Sequence, residues 1–146
     1  MIRLAFVCVR NAGRSQMAAA FAERERDRRG LGDEVEILTG GTRPADAVHE
    51  GVVAAMDEVG IDLSDRVPRE ITTAELEACD RVATMGCSTL DLDADADTDV
   101  RDWALDDPGG RNIERVREIR DGIADRVAAL FDEIDRDLDA EVASGR

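Results

Sequence analysis

The feature that most constrains this chain is a change of hydrophobic period that recurs along it. Residues 2–7, IRLAFV, form an apolar run with β-branched members, which reads as a buried strand. The period then switches. From residue 15 to about 29, Met17, Ala18, Phe21 and Ala22 recur at helical spacing, and Gly30 ends the pattern. Residues 35–38 read as a second strand, closed by Thr39-Gly40-Gly41. Residues 46–59 read as a helix with Val48, Val52, Ala55 and Val59 on one face, residues 61–63 as a short extended piece. Thr73 caps a short helix to residue 77, and RVATM at 81–85 is a further strand. Asn112 then caps a long helix whose stripe of Ile113, Val116, Ile119, Ile123, Val127, Leu130, Ile134 and Leu138 is core rather than partner surface. Strands alternating with helices demand a parallel sheet covered on both faces. The expectation is one three-layer α/β domain over residues 1–146: a doubly wound, four-stranded parallel sheet with helices on both faces, and 139–146 as a frayed tail. The stretch 88–101, STLDLDADADTDVR, lacks apolar periodicity and reads as a long acidic surface loop.

Composition excludes several functions. The net charge is −15, and all 19 basic residues are arginine. An acidic, lysine-free surface suits work in concentrated salt, where screening shortens to about 3 Å at 1 M. Codon bias in a high-GC genome is the plainer alternative. No basic face stands out, which disfavours nucleic acid as a partner. No apolar run approaches about 18 residues and no leader is evident, so the chain reads as cytoplasmic, without a membrane span. Three cysteines, Cys8, Cys79 and Cys87, fit neither a disulfide scaffold nor a metal site.

One of those cysteines sits where an apolar strand meets a polar loop. In AFVCVRNAGRSQM, Cys8 and Arg14 bracket five residues and Ser15 follows. The spacing alone is weak, because arginine is so abundant here. Context strengthens it. A loop that wraps into a helix N-terminus turns several N–H groups inward and makes a cradle for an anion. Arg14 adds two parallel donors suited to a tetrahedral oxyanion. The same positive field favours a thiolate at position 8. Ser15 can donate a hydrogen bond to that sulfur, and Asn11 can hold the loop by bonding its backbone. The plainer alternative is a buried, inert thiol beside an exposed arginine. Asp106-Asp107-Pro108, in DWALDDPGG, counts against it: proline restricts Asp107 to an extended conformation, where it can serve as a general acid. A simple turn ahead of the last helix would also account for Asp-Pro-Gly-Gly.

Together these motifs resemble the low-molecular-weight protein tyrosine phosphatase superfamily. VCVRNAGRSQMA, with Gln16 after Ser15, is closer to its arsenate reductase branch than to its phosphatases; GTRPADAVHE, EVGIDLSDR, VATMGC and DWALDDPGG follow in family order. The likeness covers residues 3–138. It implies that Cys8 is the nucleophile and that Arg14 binds the oxyanion with the loop of Val9, Arg10, Asn11, Ala12 and Gly13. It further implies that Ser15 assists the thiolate and that Asp107 is the general acid. Cys87 matches the second redox cysteine, which attacks the Cys8–arsenic adduct, releases arsenite and leaves a disulfide. No cofactor or metal is implied, only an external thiol reductant: thioredoxin, a glutaredoxin-type protein or a low-molecular-weight thiol.

The chain departs from that branch in three places. No third cysteine follows Cys87, and Cys79, at the opposite end of its strand, is a poor substitute and reads as structural. Arg10 stands where histidine or a smaller residue is common, and Thr39-Gly40 replaces Ser-Ala. Cys8 and Cys87 are expected to end strands that are not neighbours, roughly 10 Å apart, so that residues 86–101 would have to move for a disulfide to form. Three functions remain open: arsenate reduction, phosphotyrosine or small phosphomonoester hydrolysis through a Cys8-phosphate, and a catalytically silent oxyanion-binding module.

Overall fold

The computed structural model describes residues 1–86 and 98–143, with side chains as far as 140. Its elements are β1 (Ile2–Cys8), α1 (Arg14–Arg28), β2 (Val35–Gly41), α2 (Glu50–Asp57), α3 (Thr73–Glu77), β3 (Arg81–Met85), β4 (Asp99–Asp102) and α4 (Ile113–Ala143). The strands form one parallel sheet in the order β2-β1-β3-β4. The expected α/β architecture is therefore the observed one.

The apolar run at the N-terminus takes an inner position because both of its faces are buried. Leu4, Phe6 and Cys8 join the large core that α1, α2 and α4 share, whereas Ala5 and Val7 pack with Ile71, Leu76 and Val82 on the α3 side. The predicted stripe of α4 supplies Val116, Ile119, Ile123, Val127, Leu130 and Ile134 to the larger core. Chain order reverses between β1 and β3, so the carboxyl end of β1 lies at the switch point where open parallel sheets bind ligands.

Several boundaries differ from expectation: β2 runs on to Gly41 and α2 stops at Asp57. α2 starts at Glu50 rather than residue 46, because the preceding segment spends its donors elsewhere. The N–H groups of Arg43, Ala45 and His49 reach the carbonyls of Val9, Arg10 and Ala12 at 2.8, 2.9 and 2.9 Å. The cap of α3 is Thr72, not Thr73: Thr72 Oγ1 accepts from the Glu75 N–H and Glu75 Oε1 accepts from the Thr72 N–H, a reciprocal box. α4 continues past Leu138 to Ala143. Finally, Asp99–Asp102 is a strand that overlaps the end of the stretch 88–101 expected to be loop. Its residues are mostly exposed, so no burial pattern marks it; main-chain pairing from Arg81↔Asp99 to Thr84↔Asp102 makes it the edge of the sheet. Residues 61–63 form no strand, and Leu63 is simply buried in the core.

Candidate active site

Residues 8–15 wrap from the end of β1 into the start of α1. Three carbonyls of this loop point outward to residues 43–49, as described above. Among the described residues, the N–H groups of Arg10, Ala12, Gly13, Arg14 and Ser15 meet no acceptor. Carbonyls held outside leave these N–H groups free to serve an anion, and the field of the α1 N-terminus adds to them. Gly41 lets β2 approach this closely: a Cβ there would lie 2.5 Å from Val9 O and 3.0 Å from Asn11 N.

Cys8 Sγ lies at the base of the loop, 3% exposed. It is 2.9 Å from Ser15 Oγ, and the Asn11 N–H donates to it at 3.2 Å. Ser15 Oγ itself accepts from Asn11 Nδ2 at 2.7 Å, which leaves the serine proton free to point at the sulfur. Asn11 differs from expectation. It bonds side chains and a neighbouring segment rather than its own loop's backbone. Its Nδ2 also donates to Thr39 Oγ1 at 3.0 Å, and its Oδ1 accepts from Gln16 Nε2 at 3.0 Å and the Arg69 N–H at 3.1 Å. This fully buried asparagine holds a positive φ of 51°, a backbone state tolerated because four partners hold it.

Arg14 is tied down on one side only. Its Nη1 donates to Leu105 O at 2.8 Å, while Nε and Nη2 bond none of the described residues. One guanidinium edge thus remains for a bidentate contact. The Asp106-Asp107-Pro108 segment is docked on the cradle: buried Pro108 lies against Gly13, where a Cβ would come within 2.7 Å of Pro108 Cγ. The two aspartates are separated by their bonds. Asp106 pairs with Arg115, which holds its carboxyl below the ordinary range. Asp107 is exposed, and among the described residues its Oδ1 accepts only from the Gly109 N–H, at 2.9 Å. Arg10 is exposed and its side chain has no partner among the described residues.

Sequence reasoning missed the supports of the site. Thr39, Arg69 and Leu105 bond its residues and Gly86 abuts Arg14, all from other segments, and nothing local marks those contacts. His49, the only histidine, lies beside the acid loop: a Cβ on Gly109 would be 3.1 Å from its Nε2 and 3.3 Å from Asp107 Oδ1. Cys79 is far from all this. It is buried at the other end of the sheet, its Sγ donates to Glu75 O at 3.3 Å, and burial beside Asp80 pushes its thiol up from 9.0 to about 11. Cys87 lies outside the described residues. The sheet nonetheless corrects one expectation, because β1 and β3 are neighbours and Cys8 pairs with Met85. The chain reaches Cys87 from the strand beside Cys8, about 4.8 Å away, not from a more distant one. The far end of the segment expected to move, residues 99–101, is held in β4. Among the described residues no cluster of metal-ligating side chains occurs, and no helix is long and apolar enough to cross a membrane.

A parallel sheet with a thiol cradled at its switch point defines a class, and comparison with known proteins agrees. The chain belongs to the low molecular weight phosphotyrosine protein phosphatase family, whose model matches residues 3–140. Within it, a Halobacterium salinarum protein named "Putative arsenate reductase" is 68% identical over 92% of this chain and 94% of its own length. The glutaredoxin arsenate reductase of a Synechocystis species is 34% identical over 92% and 99%. Among solved structures, the thioredoxin-dependent arsenate reductase of Corynebacterium glutamicum superposes with a TM-score of 0.77 at 31% identity. That match covers 94% of this chain but spans only 63% of the longer bacterial one.

Proposed function

We propose that the chain is an arsenate reductase that converts arsenate to arsenite through a Cys8 thiol–arsenic adduct. The observation that carries this reading is the pairing of Cys8 Sγ with Ser15 Oγ beneath loop N–H groups and an Arg14 edge that have no partner among the described residues. Identity to relatives that bear the arsenate reductase name favours arsenate over other oxyanions.

The cradle N–H groups and the Nε/Nη2 edge of Arg14 bind three arsenate oxygens and offset their charge. Ser15 and the Asn11 N–H stabilise the Cys8 thiolate. Its sulfur attacks arsenic, an S–As bond forms, and an As–O bond breaks. Asp107 protonates the departing oxygen, which leaves as water. A second thiolate, Cys87 or an external thiol, then attacks Cys8 Sγ. The S–As electron pair passes to arsenic, which is reduced from As(V) to As(III), while the two sulfurs are oxidised to a disulfide. A thioredoxin- or glutaredoxin-type protein, or a low-molecular-weight thiol, returns the sulfurs to thiols. Such chemistry belongs in the cytoplasm, where thiols are kept reduced, and the −15 charge suits concentrated salt.

The alternative is hydrolysis of phosphotyrosine or a small phosphomonoester at the same cradle, favoured by the exposed, sparsely bonded Asp107 and by the family's name. Arsenate-driven thiol oxidation and aryl-phosphate hydrolysis, measured side by side, separate the two. Wild type should show the first. Cys87→Ser should lose the protein disulfide, or lose nothing if an external thiol resolves the adduct. Phosphatase activity without any arsenate-driven oxidation would move the protein to the hydrolases.

A further inference from the structure

Position 86 carries no side chain, and the reason lies across the site rather than in its own strand. Gly86 follows the last residue of β3 and has φ +80°. The Nη1/Nη2 end of the Arg14 guanidinium abuts it. A Cβ on residue 86 would sit 2.5 Å from Arg14 Nη1, 2.7 Å from Nη2 and 2.9 Å from Cζ. Real carbon atoms do not approach so closely, so any side chain here would displace the guanidinium. Nη1 is also held by Leu105 O at 2.8 Å, in the segment leading to Asp107. The guanidinium therefore contacts both the end of β3 and the acid loop, and its Nε/Nη2 edge is the part left without a partner among the described residues.

We propose that Gly86 is a positioning residue for oxyanion binding: by having no side chain, it forms the seat that holds the free edge of Arg14 toward the cradle. The inference deepens the reading of residues 8–15 as an oxyanion site and rests on it, but it needs no particular reaction. An arginine is useful in bidentate recognition only when its plane is fixed, since two parallel bonds to one oxyanion require both donors in register. A displacement of about 1 Å at such a group can cost roughly a hundredfold. In Gly86→Ala the new methyl group would push the plane off its seat, and the Leu105 contact would limit where it could go.

Backbone strain is the competing explanation, because alanine is disfavoured at positive φ wherever it occurs. The chain contains its own control. Gly60 has the same φ of +80°, yet a Cβ there would meet nothing within 4 Å. Gly60→Ala therefore carries the strain without the clash.

The test uses inorganic phosphate as the probe, read by calorimetry and by its protection of Cys8 from alkylation, with melting temperatures for every variant. Wild type and Gly60→Ala should bind phosphate alike, and Gly86→Ala should bind it about tenfold or more weakly. Melting completes the cycle: adding Gly86→Ala to Arg14→Lys should lower the melting temperature less than adding it to wild type, because a lysine chain can move aside. If Gly86→Ala alone fails to fold, the double variant should fold. The proposal is overturned if folded Gly86→Ala binds phosphate like wild type. Equal melting losses in the two backgrounds, or a double variant that also fails to fold, would overturn it too. Wild type that binds no phosphate would remove the oxyanion site itself and the seat with it, an outcome distinct from a normal site indifferent to position 86.

Discussion

Ser15 is the smallest unit on which the proposed chemistry can be tested. Its hydroxyl oxygen accepts from Asn11 Nδ2, so its proton has one good destination, Cys8 Sγ at 2.9 Å. A hydrogen bond to a charged group is worth about 1.5–3 kcal/mol. Ser15→Ala should therefore lower kcat roughly ten- to hundredfold while leaving phosphate affinity nearly unchanged, because the cradle N–H groups remain. Steady-state rates beside phosphate inhibition would check this; an equal loss of binding would mean that Ser15 shapes the cradle instead of serving the sulfur. The residue scale also shows where reading the sequence stops. Cys8, Arg14 and Ser15 are legible because a strand, a loop and a helix start occur in seven residues of each other's neighbourhood. The partners of Asn11 are not. Thr39 and Arg69 reach it from segments that no local pattern links to residue 11.

Arginine–carboxylate clamps add to the core in joining elements here. Glu58, just after α2, takes hydrogen bonds from Arg117 and Arg120 of α4, and Arg120 Nη1 also donates to Ala55 O. First Arg117 and then Arg120 hold the Glu58 carboxyl at about 2, below its ordinary 4.5. Between those values the unfolded chain binds more protons than the folded one. The contribution is therefore complete above about 4.5 and is lost as pH falls through about 2. Glu58→Gln should flatten this acid limb in denaturant unfolding measured against pH, with a small effect at neutrality because Glu58 and Arg117 are exposed and buried Arg120 keeps its bonds to Asp121 and Ala55 O. An unchanged acid limb would show that the clamp does not couple the helices. Elements also differ in legibility. β1 and α4 announce themselves by continuous or periodic burial. β4 carries no such signal, since the mostly exposed Asp99–Asp102 is defined by pairing with β3 alone.

At the scale of the molecule, charge dominates. A chain of net charge −15 repels itself, and its exposed ion pairs offset this only locally. Salt screens both terms, but the long-range repulsion involves far more charge pairs. Raising KCl from roughly 0.1 to 2 M, which shortens the screening length from about 10 Å to under 3 Å, should raise the melting temperature. A melting temperature that falls with KCl would show that the ion pairs outweigh the repulsion.

By itself the sequence determined the kind of sheet, the strand–loop–helix around Cys8 and the apolar stripe of the final helix. Each depends on periodicity or on contacts a few residues apart, and those are written in chain order. Tertiary structure decided the rest. It placed β3 beside β1, so that the strand leading to Cys87 runs next to Cys8, and it made a strand of Asp99–Asp102. It set the Arg14 guanidinium on Gly86 and bound it to Leu105. Those outcomes depend on which distant segments share one small volume, and close packing settles that only once the whole chain has folded.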